Sequence, residues 1–260
     1  MYRFCAQTDS GLMRENNEDA FTFEEATGVA VLADGMGGYN AGEVASGMAT
    51  SIINSEMSRW LTASAATASV QDIRRALEIC VGNANAAVFK AAHANVSYSG
   101  MGTTLVAGVF RGSDLVIGHI GDSRCYRLRQ GALVQITRDH SLLQEQIDAG
   151  LLTPEQAALS INKNLVTRAL GVDDAVLLEV HEHAVEPGDV YLMCSDGLSD
   201  MVKDQDIEKT LQMPLSPEQQ ARALVDAANA HGGRDNITVL LVHAEAGAEK
   251  RGLMARLLGK

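Results

Sequence analysis

Residues 29 to 38 read Val-Ala-Val-Leu-Ala-Asp-Gly-Met-Gly-Gly. The five-residue apolar run 29–33 suits a strand buried on both faces, and such a strand ends by bringing Asp34 to a rim. Taken alone, Asp34-Gly35 also suits a two-residue hairpin turn. A hairpin needs a second alternating strand, yet Gly37, Gly38, Tyr39, Asn40 and Gly42 lead into a helical pattern near Glu43, so the turn reading fits less well. The arrangement recurs at residues 190–195, another apolar run followed by Asp196-Gly197 and then by helix-forming sequence. Two buried strands therefore each carry a carboxylate to an edge.

Outward from this stretch the chain divides by period. Residues 2–7 and 20–24 are short β-rich pieces separated by the polar stretch 9–19, which should face solvent or a site. Val44, Met48, Ile52, Met57, Trp60 and Leu61 mark one amphipathic helix, and Val70, Ile73, Leu77, Val81, Ala84 and Val88 a second, capped by Ser69. After Gly100-Met101-Gly102 the period becomes that of strands. Residues 103–111, 113–120, 123–129 and 131–136, joined by Gly-Ser, Gly-Asp and Gln-Gly turns, predict an antiparallel meander. Residues 141–171 interrupt it with two short helices, opened by Ser141 with Gln144 and by Thr153-Pro154-Glu155-Gln156, in an excursion expected to fold over the sheet. Strands resume near 176–183, 190–195 and 236–243, and a further helix runs from Ser216-Pro217-Glu218-Gln219 to just before Gly232-Gly233. Strands apolar on both faces need cover on both. The order predicts an α+β fold in which two antiparallel β-sheets pack as a central sandwich, flanked on each side by helices in four layers, αββα.

With 260 residues, 46% of them hydrophobic, and no linker-like composition shift, the chain reads as one domain over residues 1–246 followed by a short basic tail, 247–260. Leu253, Met254, Leu257 and Leu258 recur at helical spacing in that tail, which reads as a frayed end. No membrane span and no signal-peptide core are visible, so a cytoplasmic location is expected. Cys5, Cys80, Cys125 and Cys194 are scattered and mostly set in apolar segments, as buried reduced thiols would be. A net charge of −12 argues against nucleic acid as a partner and leaves room for bound cations.

Asp34, Asp122 and Asp196 follow apolar strands, whereas Asp19 and Asp235 precede strands. In an antiparallel sheet the end of one strand and the start of its neighbour share a rim, so all five can converge. Converging anions need raised pKa values or a cation, and an oxygen-only ligand set selects hard ions such as Mg²⁺ or Mn²⁺. Two such ions about 4 Å apart can activate a shared water for in-line attack on phosphorus. Gly35 lets a backbone carbonyl turn towards the cluster, and Arg14, beside Glu18 and Asp19, could grip two phosphate oxygens.

At these residues the chain resembles the metal-dependent protein phosphatases, the type 2C Ser/Thr family in its short bacterial form. The matching pieces, in family order, are Arg14-Glu15-Asn16-Asn17-Glu18-Asp19, residues 31–38, Met101-Gly102-Thr103-Thr104, Gly121-Asp122-Ser123-Arg124, Asp139-His140-Ser141, residues 165–171, residues 194–198 and Asp235-Asn236-Ile237-Thr238. The resemblance implies hydrolysis of phosphoserine and phosphothreonine by a water bridging two tightly held Mg²⁺ or Mn²⁺ ions. It further implies that Asp34 bridges both ions, that the Gly35 carbonyl binds one, and that Asp196 and Asp235 bind the other. Glu18 and Asp19 would act through waters, Asp122 with Asp196 would hold a third, weaker ion, Arg14 would bind phosphate, and residues 141–171 would form a flap. Its implied partners are phosphorylated proteins and a cognate bacterial Ser/Thr kinase, with the chain acting as a monomer. The alternative is a catalytically weak pseudophosphatase serving as an interaction module, although Asp34, Asp196 and Asp235 are all present. Met36 stands where relatives often carry a histidine acid, so water or His140 would protonate the leaving group. His181 and His183, two apart on a strand, read as a surface pair without a third ligand.

Overall fold

The structure, a computed structural model, describes residues 1–38, 41–64, 68–153, 156–157 and 165–245. One sheet has the order β1 (Tyr2–Asp9), β11 (Ile237–Ala244), β10 (Val190–Cys194), β7 (Arg124–Arg129), β8 (Ala132–Gln135). The other has the order β2 (Asp19–Glu24), β3 (Val29–Met36), β5 (Leu105–Arg111), β6 (Asp114–Ile120), β9 (Glu179–Ala184), with the short β4 (Gly102–Thr103) on β3. All pairings are antiparallel.

Period-two alternation explains why β3 is apolar throughout. Ala30 and Leu32 face the other sheet, in a core with Phe4, Phe110, Tyr191 and Leu240, while Val29 and Val31 face α1 (Ala41–Ser64) and α2 (Val70–Ala94). On the far side, α5 (Asp204–Gln212) and α6 (Pro217–Ala230) cover Leu192, Val239 and Leu241 through Ile207, Leu211, Leu224 and Val225. The four-layer αββα sandwich is as expected. So are the Ser69 cap of α2 and the start of α6 at Ser216; in both the structure adds a capping box, with Asp72 and Gln219 as reciprocal partners, which satisfies the first amides. All four cysteines are buried and free. Among the described residues no helix is long and apolar enough to cross a membrane.

The structure corrects the sequence reading in several places. Residues 103–136 are not one meander: β5 and β6 pair in one sheet, β7 and β8 in the other, and the chain changes sheets at Gly121-Asp122-Ser123. Gly121 has φ +96, and a Cβ there would fall 2.7 Å from Thr104 Cγ2, so the crossing requires glycine. The face of α1 in contact with β3 is the stripe Ala41, Ala45, Ala49, Ile53, with the bulkier Val44, Met48 and Ile52 only partly buried beside it. Small side chains let the helix lie close to the sheet. Helix α5 escaped the sequence reading because Lys203 makes no side-chain cap and only Ile207 and Leu211 are buried.

In the excursion, Ser141 caps α3 (Leu142–Asp148) by accepting from Gln144 N at 3.3 Å. Thr153 and Gln156 bond reciprocally as a capping box does. Residues 154–155 and 158–164, and with them the rest of the second flap helix, lie outside the described residues, as does the tail from 246 onward.

Candidate metal centre at the rim of the sandwich

The register of β2 on β3 sets Asp19 directly opposite Asp34. Asp34 lies within its strand and not at its end, because Gly35 and Met36 continue the ladder onto Thr103 and Gly102. Its amide donates to Thr104 Oγ1 (2.9 Å), and its carbonyl accepts from Thr103 Oγ1 (2.8 Å) and Thr104 N (2.9 Å). The backbone is thus fully used, and two like charges oppose each other, an arrangement that destabilises a ladder without a counter-charge.

The second sheet is laced to this pair. Ser195, just after β10, donates from Oγ to Asp19 Oδ2 (2.7 Å) and accepts from Thr238 N (3.0 Å). Asp196 then opens the short helix α4 (Asp196–Ser199). Asn236, just before β11, donates from Nδ2 to Ser10 O (3.0 Å) and Asn16 O (2.8 Å), and its Oδ1 accepts from Glu18 N (2.8 Å). Glu18 in turn accepts at its carbonyl from Gly35 N (3.0 Å) and Ser46 Oγ (2.6 Å). Asp235 accepts from Asn236 N (2.9 Å) and from Arg14 Nη2 (2.7 Å).

Crowding shows in the acid–base behaviour. Burial, followed by the charges of Asp19, Asp196, Asp122 and Asp235, holds Asp34 well above the usual carboxylate range. Burial also raises Asp196, with Asp122, Asp235 and Asp200 adding to it. Burial pushes Asp122 up to about 6, helped by Asp139. Asp19 rises to about 6 by burial, although Thr238 and Ser195 partly offset this by hydrogen bonding. Asp19 Oδ1 is buried without a hydrogen-bond partner. At Gly35 a Cβ would fall 2.1 Å from Gly42 O and 2.6 Å from Glu18 O, so no side chain fits between strand and helix there. Oxygen donors in excess, an orphaned carboxylate oxygen and repulsion awaiting a cation together fit hard divalent ions.

Residues 13–230 match the family described as Protein phosphatase 2C. The chain belongs to that family. It is 36% identical over 242 residues to the serine/threonine phosphatase Stp of Listeria innocua, covering 91% of this chain and 93% of that protein. Among solved structures it is similar to the Mycobacterium tuberculosis serine/threonine phosphatase PstP/Ppp, with TM-score 0.85, 38% identity and coverage of 94% of this chain and 99% of that one. The PstP catalytic domain in complex with two manganese ions superimposes with TM-score 0.83 at 37% identity, covering 94% and 99%.

In this phosphatase 2C chain the residues singled out from sequence separate into groups. Asp19, Asp34, Asp122, Asp196 and Asp235 come together electrostatically at one rim, with Glu18 close behind against Gly42, where a Cβ would fall 2.8 Å from Glu18 Cδ. Arg14 sits on the rim with its side chain half exposed, but its guanidinium holds the Asp235 carboxylate. Asp122 does not pair with Arg124, which instead grips Asp139 through Nε and Nη2 and donates to Tyr126 Oη. His140 is buried and held between Gly121 N and Glu179, as an anchor between them. Sequence reading passed over Ser195, Asn236 and Asp200. For Asp200 a signal existed: it follows Asp196 by four residues, one helical turn.

Proposed function

We propose that the chain is a metal-dependent protein phosphatase that hydrolyses phosphoserine and phosphothreonine, with two Mg²⁺ or Mn²⁺ ions held at the carboxylate rim. The observation that carries this reading is the opposition of Asp19 and Asp34 across one ladder, with Asp196 and Asp235 brought alongside from the other sheet. In this reading Asp34, at the centre, would hold the ions together with the Gly35 carbonyl, Asp196 and Asp235, and Glu18 and Asp19 would act one layer further out. When bound, the ions supply Lewis-acid charge that activates water and neutralises the phosphoryl group.

The chain's own groups do the rest. Ser195 and Asn236 fix Asp19 and Asp235 in orientation. Arg14 is long and exposed enough to exchange Asp235 for a phosphate oxygen of the substrate. Asp122, aligned with Asp196 by charge, suits a third and weaker ion. Met36 offers no proton, so the leaving alkoxide takes one from water. In this reading residues 141–171 would act as a flap for protein substrates. The partners that this reading supplies are phosphorylated proteins and an opposing Ser/Thr kinase, met by a monomeric cytoplasmic enzyme.

The test is phosphate release from a phosphothreonine peptide with Mn²⁺ and with excess chelator. Release is expected only with the metal. Undiminished release in chelator overturns the reading, and absence of release under both conditions returns the chain to the role of an interaction module.

A further inference from the structure

Metal-ligand chemistry gathers a second time, at the opposite edge of the β2–β9 sheet. Strands β6 and β9 pair with His119 facing Glu179 and Ile117 facing His181. Paired residues share a face, so these side chains project together, at the margin of the core between the sheets. His119, Glu179 and His181 each offer one ligand atom, and the three atoms lie within 4.8 Å of one another.

The surrounding bonds leave one ligand atom of the three, His119 Nδ1, unused. His119 Nε2 lies 2.7 Å from the carbonyl of Arg138 and 3.4 Å from its amide, so the shorter contact places the proton on Nε2 as donor. Nδ1 is then a lone-pair acceptor. It is fully buried and has no hydrogen-bond partner. Such an orphan is destabilising, and a cation would satisfy it. One ring nitrogen on a backbone carbonyl and the other on the ion is the usual orientation of a ligating histidine. Glu179 is similarly prepared. His140 Nδ1 accepts from Gly121 N (3.1 Å), which leaves its Nε2 to donate to Glu179 Oε2 (3.1 Å). The other oxygen, Oε1, meets His181 Nε2 at 2.8 Å. The side chains of Glu179 and His181 are 32% and 43% exposed, so an ion can enter from solvent.

We propose that His119 Nδ1, His181 Nε2 and one oxygen of Glu179 form a second metal site, distinct from the carboxylate rim, for a borderline divalent cation, Zn²⁺ foremost. Two imidazoles, one carboxylate and an open fourth position make a zinc donor set, not one for Mg²⁺ or Mn²⁺. Binding releases the proton shared by His181 and Glu179, and the two atoms part to the roughly 3.3 Å edge of a tetrahedron with bonds of about 2.0–2.1 Å. His140 carries the effect further. Its amide donates to Gly121 O (2.9 Å) and its carbonyl accepts from Thr167 N (2.8 Å), so the ion braces the turn bearing Asp122 and the base of the excursion.

The experiment is equilibrium dialysis of the full chain against Zn²⁺ in excess Mn²⁺, with elemental analysis, repeated with Co²⁺ for its visible spectrum. One Zn²⁺ per chain is expected. His181→Ala and Glu179→Gln should each weaken it by at least roughly 10- to 100-fold, whereas His183→Ala, next along β9, should leave it unchanged. Co²⁺ should give intense tetrahedral bands in the wild type and lose them in His181→Ala. Circular dichroism in metal-free buffer establishes that the variants are folded, and both substituted side chains are partly exposed. Zn²⁺ should persist in Asp34→Asn. Its loss there would move the ion to the rim and overturn the site, as would failure to retain Zn²⁺ against Mn²⁺ or equal binding by wild type, His181→Ala and Glu179→Gln.

Discussion

Asp34, half-buried at the rim, and Asp189, buried elsewhere in the sandwich, are both carboxylates drawn in from solvent, and they behave in opposite ways. Asp189, just before β10, accepts from Arg129 Nε (2.8 Å) and Nη2 (2.7 Å), from Glu186 N (2.8 Å) and from Tyr191 Oη (3.2 Å). Burial alone would raise its pKa, but these bonds, led by Arg129, hold it below the usual 3.8. Asp34 has other carboxylates where Asp189 has a guanidinium, and its pKa is raised. The fold satisfies one buried charge internally and leaves the other for something from outside. A buried carboxylate paired by the chain reads as structural, and one crowded by its own kind as a ligand.

Substitution at each should separate the two. Asp34→Asn should lower kcat on a phosphopeptide by roughly a thousandfold, the scale of removing a centrally placed electrostatic group. The same change should raise the melting temperature of the chelated protein, since it removes a desolvated repulsion. Calorimetry alongside steady-state kinetics reads both, and a variant that loses activity together with stability would break the contrast.

Asp189→Asn should do the reverse, costing about 1–3 kcal/mol in urea denaturation while kcat stays near wild type. Its pH dependence follows from the depressed pKa. The folded form holds its proton less tightly than the unfolded chain, so the stabilisation is complete well above pH 3.8 and is lost as pH falls through the lower folded value. The gap between wild type and Asp189→Asn should therefore narrow on acidification. A constant gap down to pH 2 would remove Arg129 from the account.

Arg14→Ala should have the smallest effect. Its ion pair with Asp235 is exposed and adds little stability, so the melting temperature should scarcely move. KM for a phosphopeptide should rise by about tenfold with kcat largely kept, as expected for a group that grips phosphate in ground and transition states alike. A fall in kcat at constant KM would instead give Arg14 the task of orienting Asp235.

Much of this was legible in the chain because its signals are local. An apolar run that stops at Asp34 or Asp196, a Ser three residues before a partner amide, and a change of period after Gly102 are each read within a few residues. The order of elements then predicted the sandwich and the converging carboxylates, and the resemblance in motif order implied their roles. Both Asp-Gly steps also have a reason that local reading did not give. Gly35 and Gly197 are there for space, since a Cβ would fall 2.1 Å from Gly42 O in one case and 2.0 Å from Asn236 O in the other, and neither has positive φ.

What the tertiary structure alone decided is which distant residues meet. The period-two pattern of residues 103–136 is equally satisfied by one meander or by two hairpins in different sheets, because periodicity specifies a face and not a neighbour. Only the left-handed turn at Gly121, packed on Thr104, selects the crossing that places Asp122 between the sheets. The same holds for His119 beside His181 and for Arg14 on Asp235, whose partners are fixed by strand register and chain crossing. The sequence by itself determined that buried strands carry carboxylates to an edge. Long-range packing determined that these edges coincide, because the energy of bringing them together belongs to the whole sandwich and to no segment of it.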